Sequence, residues 1–316
     1  MHKWAGLVAG LFLALEGLTG AFLIFRDPIE RAVRPVASHV DSAGRAPLPV
    51  GTVVAAVERA YPGGQVTFVA FPAALPSRQN PPLEMVVTVA HGPSLFVAAD
   101  PYTGQPMGLL RGDQRSWLAP LARWHFNLFL PPGARWVVGA LGVALLLTAL
   151  SGIVLFLRFD RSLHARLGGL AALPLAAYAL SAVLIVWFRP VAVPPPSGPP
   201  AARMLPVEQY LIAARDAQSG ASVSYISLAK TGVNVRMRVP GDPRRTGNTD
   251  VWLDAGSAHV LRVDPLRSAP LATQIYQWLA AFHFGEMGGA AGQLLGVILG
   301  LMPMVLVWTG YRVWRR

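Results

Sequence analysis

The sequence predicts a membrane protein, an all-α four-helix bundle with two small α+β modules outside the cytoplasm. Two observations support this fold class. The chain has four long apolar segments, and two polar stretches share the same order of predicted helices and strands. Hydrophobic residues make up 53% of the chain and charged residues only 14%. Soluble globular chains are about a quarter charged. The apolar excess lies mainly in the four segments, which is typical of membrane helices and not of one large soluble core.

The first apolar segment runs from Trp4 to Phe25, and residues 1–26 are interpreted as transmembrane helix 1. A cleaved signal peptide is the alternative, but its apolar region normally has about 7–15 residues and ends at a small-residue cleavage site. Arg26 and Asp27 follow here instead. Glu16 is an ionisable residue at membrane depth, so its side chain is expected to face the bundle interior.

Three further segments complete the predicted bundle. Residues 116–159 contain transmembrane helix 2, and residues 160–189 contain helix 3, so these two form a hairpin. The uncharged run from Trp136 to Phe156 is long enough, as a helix, to cross a hydrocarbon layer of about 30 Å. Residues 269–316 contain transmembrane helix 4.

Residues 27–115 and 190–268 are predicted to be two copies of one soluble module. Each copy begins with an amphipathic helix and continues with three strands, a turn and a final short strand. A proline-rich linker at residues 194–200 precedes the second helix and is expected to be stiff and extended. The same order of elements, found twice between membrane helices, indicates an internal repeat of about 150 residues.

The charge pattern favours a lipid partner. The formal net charge is +11, but many arginines flank the apolar segments, where anionic lipid headgroups explain them, so no nucleic-acid partner is expected. Arg158, Arg161 and Arg166 lie in the short loop between helices 2 and 3, and short basic loops stay in the cytoplasm. The chain contains no cysteine, which excludes disulfides, thiolate metal sites and covalent c-type haem attachment.

Four histidines lie at the ends of the predicted helices. Alternating helix directions place His2 and His164 at the cytoplasmic face, and His125 and His283 at the outer face. Two neutral imidazoles that face each other in a helix bundle are a common axial pair for a b-type haem. A haem at each face would provide a stepwise path for electrons across the membrane. The other three histidines lie in the soluble segments: His39, His91 and His259.

Two alternatives compete with ligation of haem by the four histidines. Imidazole rings are amphipathic and suit the membrane interface, so each histidine alone could be structural. One histidine for each helix, paired by membrane face, favours the ligand interpretation. Met287, Met302 and Met304 are alternative axial ligands, although methionine in a membrane helix usually fills space.

Short motifs around the histidines resemble the family of PepSY-associated transmembrane helix proteins. They are His2-Lys3-Trp4 with Leu18-Thr19-Gly20, Trp124-His125-Phe126-Asn127 with Ser151-Gly152, and Phe282-His283-Phe284-Gly285 with Thr309-Gly310. The two soluble copies resemble PepSY modules, ending in residues 97–104 and 251–256. The resemblance covers nearly the whole chain.

This resemblance implies a multi-pass protein of the bacterial inner membrane with its PepSY-like modules in the periplasm. It also implies two b-type haems whose iron ligands are His2, His125, His164 and His283. The implied activity is oxidoreductase electron transfer to a periplasmic acceptor, such as reduction of a ferric siderophore. The sequence contains no nucleotide-binding or flavin motif, so the electron donor is expected to be a quinol or a separate reductase.

Two other functions remain open from the sequence. In the first, the protein is a haem-free membrane scaffold whose PepSY-like modules bind or regulate a periplasmic partner such as a protease. In the second, it is a solute permease, which four helices with the single central carboxylate of Glu16 make the weaker hypothesis.

Overall fold

The computed structural model describes residues 2–33, 40–72, 80–90, 92–111, 118–158, 162–191, 193–196 and 198–315. The chain forms two compact units. A helical unit contains Met1–Asp27, Leu118–Val191 and Ile275–Arg316, and a sheet unit contains Pro28–Trp117 and Ala192–Gln274. Each unit is therefore assembled from segments of both halves of the chain.

Nine α-helices lie within the described residues. In chain order they are α1 (His2–Ile24), α2 (Arg26–Val33), α3 (Val50–Ala60), α4 (Ala119–Asn127), α5 (Trp136–Arg158), α6 (Leu163–Trp187), α7 (Val207–Ala217), α8 (Leu271–His283) and α9 (Gly289–Trp314). Three of them, α5, α6 and α9, are long and apolar enough to cross a membrane. Helix α1 has 23 residues and contains a shorter apolar run, Val8–Ile24, so its crossing stays a prediction.

The four long helices of the helical unit pack against one another. Helix α1 contacts α9 and α5, and α6 contacts α5 and α9. The α1–α9 contact is close because Gly17 and Gly300 face each other: a Cβ added to Gly17 would overlap the carbonyl oxygen of Gly300. Small residues at a membrane-helix interface allow this approach of two backbones. Gly17 and Gly300 therefore set the close distance between α1 and α9.

The sheet unit contains one antiparallel sheet with the strand order β4-β3-β2-β1-β5-β6-β7-β8. Its strands are β1 (Gly64–Ala70), β2 (Leu83–Val89), β3 (Leu95–Ala99), β4 (Pro106–Arg111), β5 (Ser222–Ala229), β6 (Gly232–Arg238), β7 (Thr249–Leu253) and β8 (Val260–Asp264). The two predicted modules thus pair through their first strands, where Phe68 lies opposite Ser227 and Ala70 opposite Tyr225. This junction, which the sequence did not predict, covers a strand edge that each module would otherwise expose.

One hydrophobic core serves both halves of the sheet unit. It includes Val53 and Val57 of α3, Tyr210 of α7, Met85 of β2 and Met237 of β6. Each repeat therefore contributes a helix and strands to the same buried cluster, so the two halves are stabilised together and not as separate modules.

Replacement of Gly17 by alanine is expected to separate α1 from α9. The new methyl group would overlap the backbone of Gly300, and overpacking of this kind costs about 1–3 kcal/mol. The measurement is the thermal unfolding midpoint of the detergent-solubilised protein by circular dichroism. Gly6→Ala is the matched control, because a Cβ at Gly6 meets no described atom within 4 Å. Equal midpoints for both variants would contradict the close contact.

Tyr210→Phe is expected to destabilise α7 and the adjoining turn. The fully buried hydroxyl donates to the carbonyl oxygen of Ala255 and accepts from the amide of Leu205 at 2.8 Å, and burial raises the pKa of Tyr210 so that it stays a donor. Leaving both groups unpaired costs about 1–3 kcal/mol. Hydrogen exchange of residues 205–217 should therefore accelerate. Tyr61→Phe, at the edge of the same core, should change little.

Candidate functional site

The helical unit brings the four predicted histidines together as two pairs. His2 is the first residue of α1 and His164 the second residue of α6, and their ring centroids lie 6.1 Å apart with a 63° angle between the ring planes. His125 of α4 and His283, the last residue of α8, have centroids 6.4 Å apart and a 28° interplanar angle. The pairing matches the one predicted from alternating helix directions.

In the first pair, each ring is held by a hydroxyl group from another helix. Nδ1 of His2 lies 2.8 Å from the hydroxyl oxygen of Ser151 in α5. Nδ1 of His164 lies 3.1 Å from the hydroxyl oxygen of Thr309 in α9. The orientation of both rings therefore depends on the packing of four different helices.

The second pair repeats this arrangement. Nδ1 of His125 lies 3.2 Å from the hydroxyl oxygen of Thr19 in α1, and Nδ1 of His283 lies 3.0 Å from that of Ser181 in α6. His125 has two further neighbours: the backbone carbonyl oxygen and the carboxylate Oε2 of Glu16 each lie 3.1 Å from its Nδ1. All four rings thus use the same nitrogen for these contacts.

These contacts assign the tautomer of the rings. The Thr309 hydroxyl donates its single hydrogen to its own helix, with the Val305 carbonyl oxygen at 2.8 Å, so it can only accept from His164. The hydroxyls of Thr19, Ser151 and Ser181 donate to their own helices in the same way. Nδ1 therefore carries the proton in each ring, and Nε2 keeps its lone pair. The described side-chain contacts of these rings use Nδ1, which leaves the Nε2 lone pair for a metal.

Glycine residues, which have no side chain, leave room beside three of the imidazole rings. Each glycine directly follows the hydroxyl residue that holds a histidine. A Cβ added to the glycine would approach Cε1 of that ring, at 2.9 Å for Gly20 and His125, 3.1 Å for Gly310 and His164, and 3.6 Å for Gly152 and His2. The Thr-Gly and Ser-Gly motifs noted in the sequence thus combine a hydrogen-bond acceptor with room for an imidazole.

No role was predicted from the sequence for the four hydroxyl residues. Their spacing nevertheless shows that they repeat together with the histidines. His164 and Ser181 each lie 162 residues after His2 and Thr19, and His283 and Thr309 each lie 158 residues after His125 and Ser151. The internal repeat therefore includes the membrane helices as well as the soluble segments. Each pair contains one histidine from each repeat, whereas each hydroxyl comes from the same repeat as its histidine.

The spacing of each pair fits one metal ion between two imidazoles. A metal–imidazole bond is about 2 Å long and the nitrogen lies about 1.1 Å from the ring centroid, so two rings on opposite sides of one metal ion have centroids about 6.3 Å apart. The observed separations are 6.1 and 6.4 Å. Each pair offers two imidazole rings, and among the described residues there is no group of three or more histidine or carboxylate side chains that could hold a metal ion.

Buried polar atoms without a described partner occur in Glu16 and in two residues close in sequence to His125 of the second pair. Within the described residues, Glu16 Oε1, Trp124 Nε1 and Asn127 Oδ1 are buried without a hydrogen-bond partner. Glu16 contacts His125, and the other two residues flank it on α4. Buried polar groups in native proteins are normally paired, so these atoms are consistent with a polar group bound beside this pair.

The other candidate ligands do not join the pairs. His259 is an exposed residue of the sheet unit, and His39 and His91 lie outside the described residues. Met287 and Met304 are 37% and 45% exposed, and Met302 packs in an apolar cluster with α6.

A family model described as the PepSY-associated TM region matches residues 1–316, which is the whole chain. The chain belongs to this family. This membership confirms the resemblance that the histidine motifs indicated, and together with the three apolar helices it establishes a membrane protein in contact with lipid. No curated protein matches the sequence.

Proposed function

We propose that this protein carries electrons across the bacterial inner membrane through two b-type haems and reduces a periplasmic acceptor. A ferric siderophore or another ferric chelate is the proposed acceptor. The observation that carries the proposal is the pairing of His2 with His164 and of His125 with His283 at a spacing that fits one metal ion between two imidazoles. A four-helix spanning bundle that includes α1, and PepSY modules on the periplasmic side, are parts of the same proposal.

A haem bound between two imidazoles supplies reversible one-electron chemistry at its iron. The histidines would bind it through Nε2, and the hydroxyl residues hold each ring in the required tautomer and direction. Ligand orientation by such outer contacts is a general feature of metal sites, and its loss typically weakens metal binding.

Two sites divide the proposed electron path into shorter steps. Helix α1 reaches both pairs: His2 belongs to one pair, and Thr19 contacts the other. These two residues are 17 positions apart in the helix. A helix rises about 1.5 Å for each residue, so the two ends lie about 25 Å apart along the helix axis. This distance approaches the thickness of the hydrocarbon layer, about 30 Å.

The proposed reaction balances with a donor of quinol or reduced-protein type. Each electron taken from the donor would reduce one acceptor Fe(III) to Fe(II), and a quinol would release two protons as it delivers two electrons. Hard oxygen ligands hold Fe(II) more weakly than Fe(III), so reduction would release iron from the chelate.

Loss of a paired histidine should remove one haem. In a reduced-minus-oxidised absorption spectrum of the purified protein, His125→Ala and His283→Ala should each lose the same one of two haems, since either change removes one of its two ligands. The double variant should lose no more. His2→Ala and His164→Ala should lose the other haem. His259→Ala, at an exposed histidine of the sheet unit, is the control and should retain both.

Oxidation of the reduced protein by a ferric siderophore, with Fe(II) trapped by a ferrous-specific chelator, tests the acceptor. The His125→Ala and His283→Ala variants should lose this reaction. A colourless wild-type protein, or alanine variants with unchanged haem content, would contradict the haem proposal and favour the scaffold function.

Removal of a hydroxyl should weaken haem binding without removing a ligand. Thr309→Val deletes the acceptor of the His164 Nδ1–H, and loss of such a contact typically costs about 10–100-fold in affinity. The measurement is the rate and extent of haem transfer to a soluble haem scavenger. Thr148→Val is the matched control, because the described hydrogen bonds of the Thr148 hydroxyl go to its own helix alone. The same transfer from both variants would contradict a role for the Thr309 hydroxyl.

A further inference from the structure

The two repeats differ in charge at one position beside the His125/His283 pair. Glu16 and Tyr178 are 162 residues apart, the same interval that separates His2 from His164, so they are equivalent residues of the two repeats. Glu16 Oε2 lies 3.1 Å from Nδ1 of His125. The ring centroid of Tyr178 lies 5.6 Å from that of His283. A carboxylate in one repeat thus corresponds to a phenol in the other.

The phenol of Tyr178 forms a hydrogen bond between two neutral groups. The Tyr178 hydroxyl donates to the carbonyl oxygen of Phe282 at 3.3 Å, and Nδ1 of His283 is left to the hydroxyl of Ser181. Within the pair, the His125 ring alone has a described carboxylate contact.

The His2/His164 pair has no described carboxylate contact. The described partners of its two Nδ1 atoms are the hydroxyls of Ser151 and Thr309. Among the described residues, the carboxyl group of Glu16 therefore lies beside one pair and not beside the other.

Packing alone gives no reason for a carboxyl group at the Glu16 position. Glu16 is 9% exposed and lies within a long apolar helix, and its Oε1 has no hydrogen-bond partner among the described residues. Ionisable side chains at membrane depth are costly and tend to be functional. The contact that the carboxylate makes is with the ring of His125, so its effect is expected on that ring and on what the ring binds.

We propose that Glu16 lowers the reduction potential of the His125/His283 site below that of the His2/His164 site, an inference that rests on the proposed haem function. Reduction adds one electron to a site, and a nearby negative charge disfavours that addition, strongly so where water is excluded. A carboxylate beside the Nδ1–H also makes the imidazole a stronger electron donor, which favours ferric over ferrous iron.

A lower potential at this pair has a consequence for the acceptor. An electron held at the His125/His283 site would be a stronger reductant than one held at the other pair. Chelates that stabilise Fe(III) strongly are the hardest to reduce, so Glu16 would extend the range of ferric chelates that the protein can reduce.

The test is a redox titration of the full-length haem-loaded protein, followed by absorption of the reduced haem. The wild type should show two one-electron components, and the component missing from His125→Ala identifies the His125/His283 site. In Glu16→Gln, which preserves size and removes charge, that component should move to higher potential. The equilibrium constant for sharing an electron between the sites should change by about tenfold, the size expected for one charge within about 10 Å at an effective dielectric constant of about 20.

Two variants control for shape and position. Glu16→Asp retains the charge, so its lower component should stay below that of Glu16→Gln. Tyr178→Phe removes a neutral hydroxyl at the equivalent position and should leave the lower component closer to the wild-type value than Glu16→Gln does. Absorption reports bound haem alone, so partial haem loss reduces the amplitude of a component without moving its midpoint.

Unchanged midpoints in Glu16→Gln, an equal shift of both components, or a shift of the His2/His164 component alone would each overturn the proposal. A wild-type protein without haem would instead overturn the proposed function. The two failures are therefore distinguishable.

Discussion

The hydrogen bond between an imidazole Nδ1–H and a hydroxyl of a neighbouring helix is the constraint on which the candidate sites depend. In each case the hydroxyl donates to its own helix and accepts from the ring, so helix geometry fixes the position of the acceptor. Since histidine and hydroxyl lie on different helices, the ring direction follows from helix packing. The close contact of Gly17 with Gly300 thus matters for the sites as well as for stability.

Because the chain consists of two repeats, neither repeat alone can form a complete histidine pair. Each histidine pair takes one ring from each repeat, so one repeat would hold two half-sites. The same dependence holds in the sheet unit, where β1 pairs with β5 and both repeats share one core. A substitution that weakens the association of the repeats within the helical unit is therefore expected to affect both pairs together.

Much of this organisation could be predicted from the sequence, because long uncharged runs and one histidine at each helix end are strong signals. The inward direction of Glu16 followed from the cost of a charge at membrane depth. The roles of Ser151 and Thr309 did not follow, because a single hydroxyl in a membrane helix has many uses and only the equal spacing of the repeats distinguishes these. The pairing of β1 with β5 could not be predicted from the sequence either, since strand composition does not specify which strand edge will be the partner.

The two-fold repeat relates the two histidines within each pair and not one pair to the other, so it does not by itself set the relative potentials of the two sites. Two sites of equal potential share an electron equally, so direction would then depend on the donor and acceptor alone. The hydroxyl contacts are alike in both pairs and provide no inequality. Glu16 does, because its carboxyl group lies beside the His125/His283 pair, and Tyr178 at the equivalent position of the other repeat lies beside the same pair. With the lower potential at the His125/His283 site, transfer from the His2/His164 site would be uphill. Outward flow would therefore be driven by the donor and by oxidation of the outer site by the acceptor.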